Sequence, residues 1–220
     1  MVGLDSRSTM DLDATVRNMP LDTGAVLKAM EDICAVHLDD DVHFRVLSAL
    51  PIRQDDAYGG LRVGMEADYE RIRTPLTLDI STGDAITPHA VRYRFKTIFD
   101  DREIELWAYN LETVLAEKVE TILRRSVFNT RLRDFYDAYI LTKTHRVDRE
   151  LFQRALAATA AHRETADQIA SMDEILQAIL DSQELHRMWD TYCKEYTYAQ
   201  GISFRETIMA IYELTAGIRL

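Results

Sequence analysis

MDLDATV, residues 10–16, decides how the front of this chain is read. Written as a strand, it sends Met10, Leu12, Ala14 and Val16 to one face and Asp11, Asp13 and Thr15 to the other, because successive side chains alternate with period two. Two carboxylates then stand side by side above a sheet whose opposite face is apolar. Aspartate is a poor strand former, and the paired charges repel unless solvent or a cation compensates them. A second stretch, PLTLDIS at 75–81, repeats the pattern, with Leu76, Leu78 and Ile80 facing one way and Thr77, Asp79 and Ser81 the other. If the two strands are neighbours, three carboxylates converge. Oxygen donors of that kind suit a hard divalent cation such as Mg²⁺. Two such ions about 4 Å apart hold the attacking and leaving oxygens of a phosphoryl or nucleotidyl transfer. A lone D-x-D at a strand edge is often only solvated charge. The second alternating strand is what brings the metal reading level with that one.

The sequence changes character at Asn110. Before it, Leu21–Leu38 carries Val26, Leu27, Met30, Ile33 and Cys34 at helical intervals. Val42–Ile52 reads as extended, and Asp55, Asp56 and the Gly59-Gly60 pair mark a turn after it. Leu61–Tyr69 and Pro75–Ser81 are strand-like, and Val91–Ile98 and Glu103–Trp107 read as two strands around an Asp100-Asp101 turn. Asn110 is a good N-cap for LETVLAEKVETILRR. From there the pattern predicts helices over 111–126, 131–143, 148–163, 171–181, 184–198 and 203–217. Strands followed by helices give an α+β protein. We expect a small mixed β-sheet core over residues 1–109 and a helical domain over 110–220.

Composition narrows the class. Of 220 residues, 47% are hydrophobic and 29% charged, which is a packed globular balance. No apolar run approaches the roughly 18 residues of a membrane span, and the start has no charged region followed by an apolar block, so neither a membrane nor a secretory signal is expected. Cys34 and Cys193 stand apart, which suits a reducing cytoplasm and makes no metal motif. The net charge of -11 argues against a generally basic nucleic-acid coat, while leaving room for a local basic site. His37, His43, His89, His145, His162 and His186 have no metal-ligand spacing. Ser6, Ser8 and Ser81 lack the nearby histidine of a hydrolase.

On the helix after Asn110, Leu115, Val119, Ile122 and Leu123 form an apolar stripe. Lys118 sits at its border, where the stem lies along the core and the ammonium reaches out. A triphosphate is one partner for that charge; a surface pairing with Glu120 is the plainer one. Arg124, Arg125, Arg131 and Arg133 surround a short loop, and Asp134 and Asp137 follow one turn apart. These residues read either as an Arg–Asp network locking two helices or as a basic patch for NTP or RNA, with Asp134 orienting Lys118 or an arginine. Arg92, Arg94 and Lys96 alternate on a strand and could extend a basic surface toward a nucleic-acid backbone. Trp107, Trp189 and the tyrosines of WDTYCKEYTY (189–198) read as core or interface.

In order, SRSTMDLDATV, LTLDIS, NLETVLAEKVETILRR and RLRDFYDAYIL resemble the four motifs of the AbiEii/AbiGii-type nucleotidyltransferase toxins, a branch of the polymerase-β-like nucleotidyltransferase superfamily. The resemblance spans residues 3 to 142. It implies a small mixed sheet bearing catalytic carboxylates, a helical domain closing the nucleotide cleft, Mg²⁺, an NTP substrate and release of pyrophosphate. It implies the toxin half of a toxin–antitoxin or phage-defence pair, an antitoxin partner, and for some members the tRNA acceptor end as target. By the resemblance, Asp11, Asp13 and Asp79 hold metal and are catalytic together with Lys118 and Asp134, while Ser8, Lys118, Arg125 and Asp137 contact nucleotide. One departure stands out: the superfamily's Gly-Gly or Gly-Ser turn before the D-x-D is represented here by Gly3 alone, without a clear substitute in Ser6 or Ser8. This predicts either an N-terminally incomplete chain or a member without that phosphate-binding turn. Two rivals remain: a small-molecule nucleotidyltransferase of the antibiotic-modifying kind, and a degenerate member that only binds a partner.

Overall fold

A computed structural model describes residues 11–17, 21–38, 40–52, 59–97 and 102–219. The chain divides into two compact units, Ser8–Asp84 and Ala85–Leu220. That division falls between Asp84 and Ala85, whereas the change from strands to helices falls at Asn110. Ser8, like Gly3 and Ser6, lies outside the described residues. Among those residues, no helix is long and apolar enough to cross a membrane.

The first unit runs β1 (Asp11–Val16), α1 (Thr23–Cys34), β2 (Val42–Ile52), β3 (Gly60–Tyr69) and β4 (Ile72–Thr82). These strands make one four-stranded sheet in the order β1-β4-β3-β2. β2, β3 and β4 form an antiparallel meander, and β1 joins its edge parallel to β4. The two stretches read as neighbours in the sequence are therefore neighbours in the sheet. Alternation along the strands sorts the faces. Leu61, Val63, Met65, Leu78 and Ile80 turn to the side that α1 covers, where Val26 and Met30 are buried against Leu61, Val63 and Ile80. Asp22 caps α1 by accepting from the Ala25 N–H at 2.9 Å. Val63 has no exposed surface, and a side chain of that size contributes about 1.5–3 kcal/mol when fully buried. An aspartate at 63 would remove that gain and leave a charge in the core. The other face is polar: Arg62, Gly64, Glu66 and Asp68 on β3 lie opposite Asp79, Thr77, Pro75 and Arg73 on β4. Gly64 leaves room there for Ser48, whose Oγ a Cβ would meet at 2.7 Å beside the irregularity between Val46 and Ser48.

The second unit begins with a ribbon, β5 (Val91–Lys96) paired antiparallel with β6 (Glu103–Ala108). It continues through α2 (Leu111–Arg125), α3 (Leu132–Thr144), α4 (Arg149–His162), α5 (Ala166–Ile169), α6 (Met172–Asp181), α7 (Gln183–Glu195) and α8 (Phe204–Thr215). The expected helices are present within a few residues. The short α5 was not anticipated, because four residues are too few for a periodic signal. Asn110 caps α2, accepting from Thr113 N–H at 2.8 Å while its amide donates to Thr87 O at 2.6 Å. The stripe Leu115, Val119, Ile122 and Leu123 is buried, and one core joins it to Phe135, Phe152, Leu156, Leu176, Trp189 and Ile208. α2 is also tied down through a charge. Glu120, fully buried, accepts from Thr165 Oγ1 at 3.0 Å and pairs with Arg124 and Arg163. Glu120 is thus not a partner of Lys118.

Candidate active site

In the first unit the site is built by strand register. Asp13 on β1 is the direct partner of Asp79 on β4, and Asp11 is the partner of Thr77. Partners across a parallel pair present their side chains to the same face. Asp13 and Asp79 therefore share the face opposite α1. Asp13 is exposed, while the Asp79 side chain keeps 17% of its surface. The Asp11 side chain lies outside the described residues. The sheet also brings in a residue that the sequence reading passed over. Arg62, opposite Asp79 on β3, forks onto it: Nε donates to Oδ1 at 2.8 Å and Nη2 to Oδ2 at 2.7 Å. A signal for it existed. LRVGMEA (61–67) alternates, and a turn at Glu70–Arg71 sets the register that places Arg62 beside Asp79.

Asp13 and Asp79 fit a hard divalent cation in donor type and placement, since Mg²⁺ commonly takes one or two carboxylates and completes its shell with water and phosphate oxygens. Among the described residues, no group of three or more His, Cys, Asp or Glu side chains is assembled for an ion.

The second unit holds the other predicted residues. Lys118 on α2 donates to Asp137 Oδ2 at 2.7 Å and to Asp134 Oδ1 at 3.3 Å, both on α3. The lysine side chain retains 20% exposure, the carboxylates 4% (Asp134) and none (Asp137). Arg131 Nε stands 2.8 Å from Asp134 Oδ2, close enough for a charge pair, but Oδ2 lacks an aligned hydrogen bond. The Arg–Asp lock expected from the sequence is thus largely a Lys–Asp lock, with the lysine oriented by two acids. Arg125 Nε is buried with no hydrogen-bond partner. Arg92 and Arg94 on β5 are met by Glu105 and Glu103 at 3.6 and 3.8 Å, which offsets much of that strand's positive charge. Trp107 lies on the ribbon under the Arg92 guanidinium at 4.1 Å and is 62% exposed, whereas Trp189 is in the core and donates to Ile202 O at 2.8 Å. A cavity of about 420 Å³ beside α7 and α8 is lined by Trp189, Cys193 and Phe204 and holds none of the predicted site residues.

The sequence profile described as the nucleotidyl transferase AbiEii toxin of type IV toxin–antitoxin systems matches residues 1–210. The chain belongs to the AbiEii toxin family. An AbiEii toxin is a nucleotidyltransferase, with an NTP as substrate and an antitoxin as the other half of its system. Two solved structures from Helicobacter pylori are similar to this chain. JHP933 is 16% identical with a TM-score of 0.48, covering 96% of this chain and 76% of its own. A provisionally assigned nucleotidyltransferase is 14% identical with a TM-score of 0.48, covering 96% of this chain and 78% of its own. No curated relative matches the chain.

Proposed function

We propose that this AbiEii toxin transfers a nucleoside monophosphate from an NTP to the 3′-terminal hydroxyl of tRNA, with Mg²⁺ as the metal. The observation that carries the reading is the register of β1 on β4, which sets Asp13 beside Asp79 on the polar face of the sheet. Asp11, Asp13 and Asp79 are the residues that would hold the ions. When bound there, Mg²⁺ neutralises charge on the attacking and leaving oxygens. Asp79 also serves the acceptor hydroxyl. Lys118, held between Asp134 and Asp137, steadies the triphosphate, and Arg125 supports it from the same helix. Ser8 is assigned to nucleotide contact by the resemblance alone.

The reaction is an in-line displacement. The acceptor oxygen forms a bond to the α-phosphorus, the bond from that phosphorus to the bridging oxygen of the β-phosphate breaks, and pyrophosphate leaves. The hydroxyl proton passes to a carboxylate or to solvent. Positioning and charge neutralisation supply most of the rate.

Incubation with Mg²⁺, each α-labelled NTP in turn and total bacterial tRNA tests the reading, with Asp13→Ala as the control. Label on tRNA that disappears in the variant is expected, and it names the nucleotide. Label released as free nucleotide, or carried by a small molecule with tRNA untouched, would overturn the choice of acceptor.

A further inference from the structure

Phe128 is the most exposed large apolar side chain among the described residues, with 85% of its surface in solvent. A single exposed apolar residue is ordinary and calls for no role. The backbone that holds this one, and the charge around it, set it apart. Phe128 ends the 3₁₀ turn Ser126–Phe128 between α2 and α3. Ser126 opens that turn at φ 48°, a left-handed value that a serine adopts only at a cost. Asn129 closes it: its N–H donates to Ser126 O at 3.2 Å, and its Oδ1 accepts from Arg131 N–H at 2.8 Å. Asn129 has no exposed surface. The ring is thus carried outward on a turn pinned at both ends, and little backbone freedom is left to lose when a flat partner lands on it.

Residues 124–133 hold four arginines and no acid, in a chain of net charge -11. Arg124, Arg131 and Arg133 are exposed. Arg124 pairs with Glu120 and Arg131 with Asp134, while Arg125 and Arg133 have no acidic partner among the described residues. Positive charge is therefore in excess at this corner. Two donors that flank the turn in the chain, Arg125 Nε and Asn129 Nδ2, are buried without a hydrogen-bond partner. Such groups are costly to leave unmatched, and phosphate oxygens are strong acceptors. A free aromatic ring among arginines matches an unpaired RNA strand, whose bases stack on the ring while its phosphates meet the guanidinium groups. The exposure of the ring argues against the base of the NTP, because small-molecule sites are concave and enclose most of their ligand.

We propose that Phe128 is a stacking platform for an unpaired base of the RNA acceptor, with Arg131 and Arg133 on the backbone phosphates beside it. The inference rests on RNA as the acceptor assigned above. It adds which part of the RNA is held: an unpaired strand next to the 3′ end, gripped by stacking and charge and not by base identity.

The test measures binding of the full chain to a fluorescent RNA hairpin with a short unpaired 3′ tail, and to the same hairpin with a blunt end, by anisotropy at fixed salt. Wild type is compared with Phe128→Ala, Phe128→Leu and Phe128→Tyr, and melting profiles confirm that each variant is folded. Losing one stacked base costs about fivefold or more in affinity. Phe128→Ala and Phe128→Leu should lose that much for the tailed hairpin and nothing for the blunt one, while Phe128→Tyr should bind like wild type. In the tRNA-labelling assay, Phe128→Ala should raise the KM for tRNA and leave the KM for NTP unchanged. Unchanged binding of the tailed hairpin in Phe128→Ala, an equal loss for both hairpins, or a wild type with no preference for the tail overturns the role of Phe128. A raised KM for NTP with tRNA unaffected assigns the ring to the NTP base and overturns it too. Label on tRNA in the wild type separates these failures from a failure of the tRNA reading. A wild type that labels no tRNA, yet binds the tailed hairpin through the ring, supports the stacking contact and overturns only the choice of acceptor.

Discussion

The two units hold their charged residues by opposite means. In the first, Asp13 and Asp79 are placed by backbone register on the polar face of a sheet whose small core surrounds Val63. In the second, Asp134 and Asp137 are sunk beside a core to which every helix from α2 to α8 contributes, and Lys118 reaches in to meet them. An open site on a ladder loses chemistry, but little structure, when a side chain changes. A buried charge cluster loses structure first, because removing one partner strands the other away from water.

The largest effect should test the open side. Asp13→Asn should lower nucleotide transfer by on the order of 10²–10³-fold, the scale seen when one group stabilising the transition state is lost. Its melting temperature should stay almost unchanged, as for most exposed substitutions. A large melting shift would erase the contrast between the units. Next, Asp137→Ala should destabilise the protein by about 3 kcal/mol, because it leaves Lys118 with the more distant of its two acids. For a chain of this size that corresponds to roughly 6–12 °C in thermal melting. Unchanged melting with lost NTP binding would move the cluster from structure to recognition.

Native-state hydrogen exchange sharpens the comparison at lower amplitude. Among the described residues β1 lies at the edge of its sheet, paired with β4, while α2 runs through the larger core. Amides of Asp11–Val16 should exchange through openings of lower free energy than those of Leu115–Leu123. Equal protection would show that the units open together.

The smallest effect is acid-dependent. At the start of α8, the Ser203 hydroxyl and backbone N–H both donate to Glu206, and they hold its carboxyl below the ordinary value of 4.5. A folded-state pKa below the unfolded one means the stabilisation is present above the unfolded value and is lost as pH falls through the folded one. Glu206→Gln should therefore melt slightly lower than wild type at neutral pH, and the gap should close as the pH drops below about 4.5. A gap that does not vary with pH would point to packing, not to the capping box.

Much of this architecture was legible because it follows from periodicity. Alternation in MDLDATV and PLTLDIS sorted acids from apolar residues before the strands were known to pair, and the Leu115–Leu123 stripe with Asn110 ahead of it defined α2. Arg62 was missed for a specific reason. Its importance depends on which residue lies across the ladder, and that is set by the turn at Glu70–Arg71, not by its own neighbours in sequence. Lys118 was found as a candidate with Asp134 as one residue to orient it, but its closer contact with Asp137 depends on a helix rotation that only packing determines. The basic character read into Arg92 and Arg94 was diluted by the same kind of long-range fact, since the opposing strand carries Glu103 and Glu105.

The parity of β1 also has a genetic consequence. Suppose one in-frame codon is deleted at Ala14 while Thr15 and Val16 keep their places on β4. Asp13 then takes the slot that faces α1, and Leu12 takes the slot beside Asp79. The protein would lose a single small residue, keep its length almost intact and still be translated to its end. A lineage under pressure to disarm the gene would need no stop codon and no frameshift, only the loss of three nucleotides.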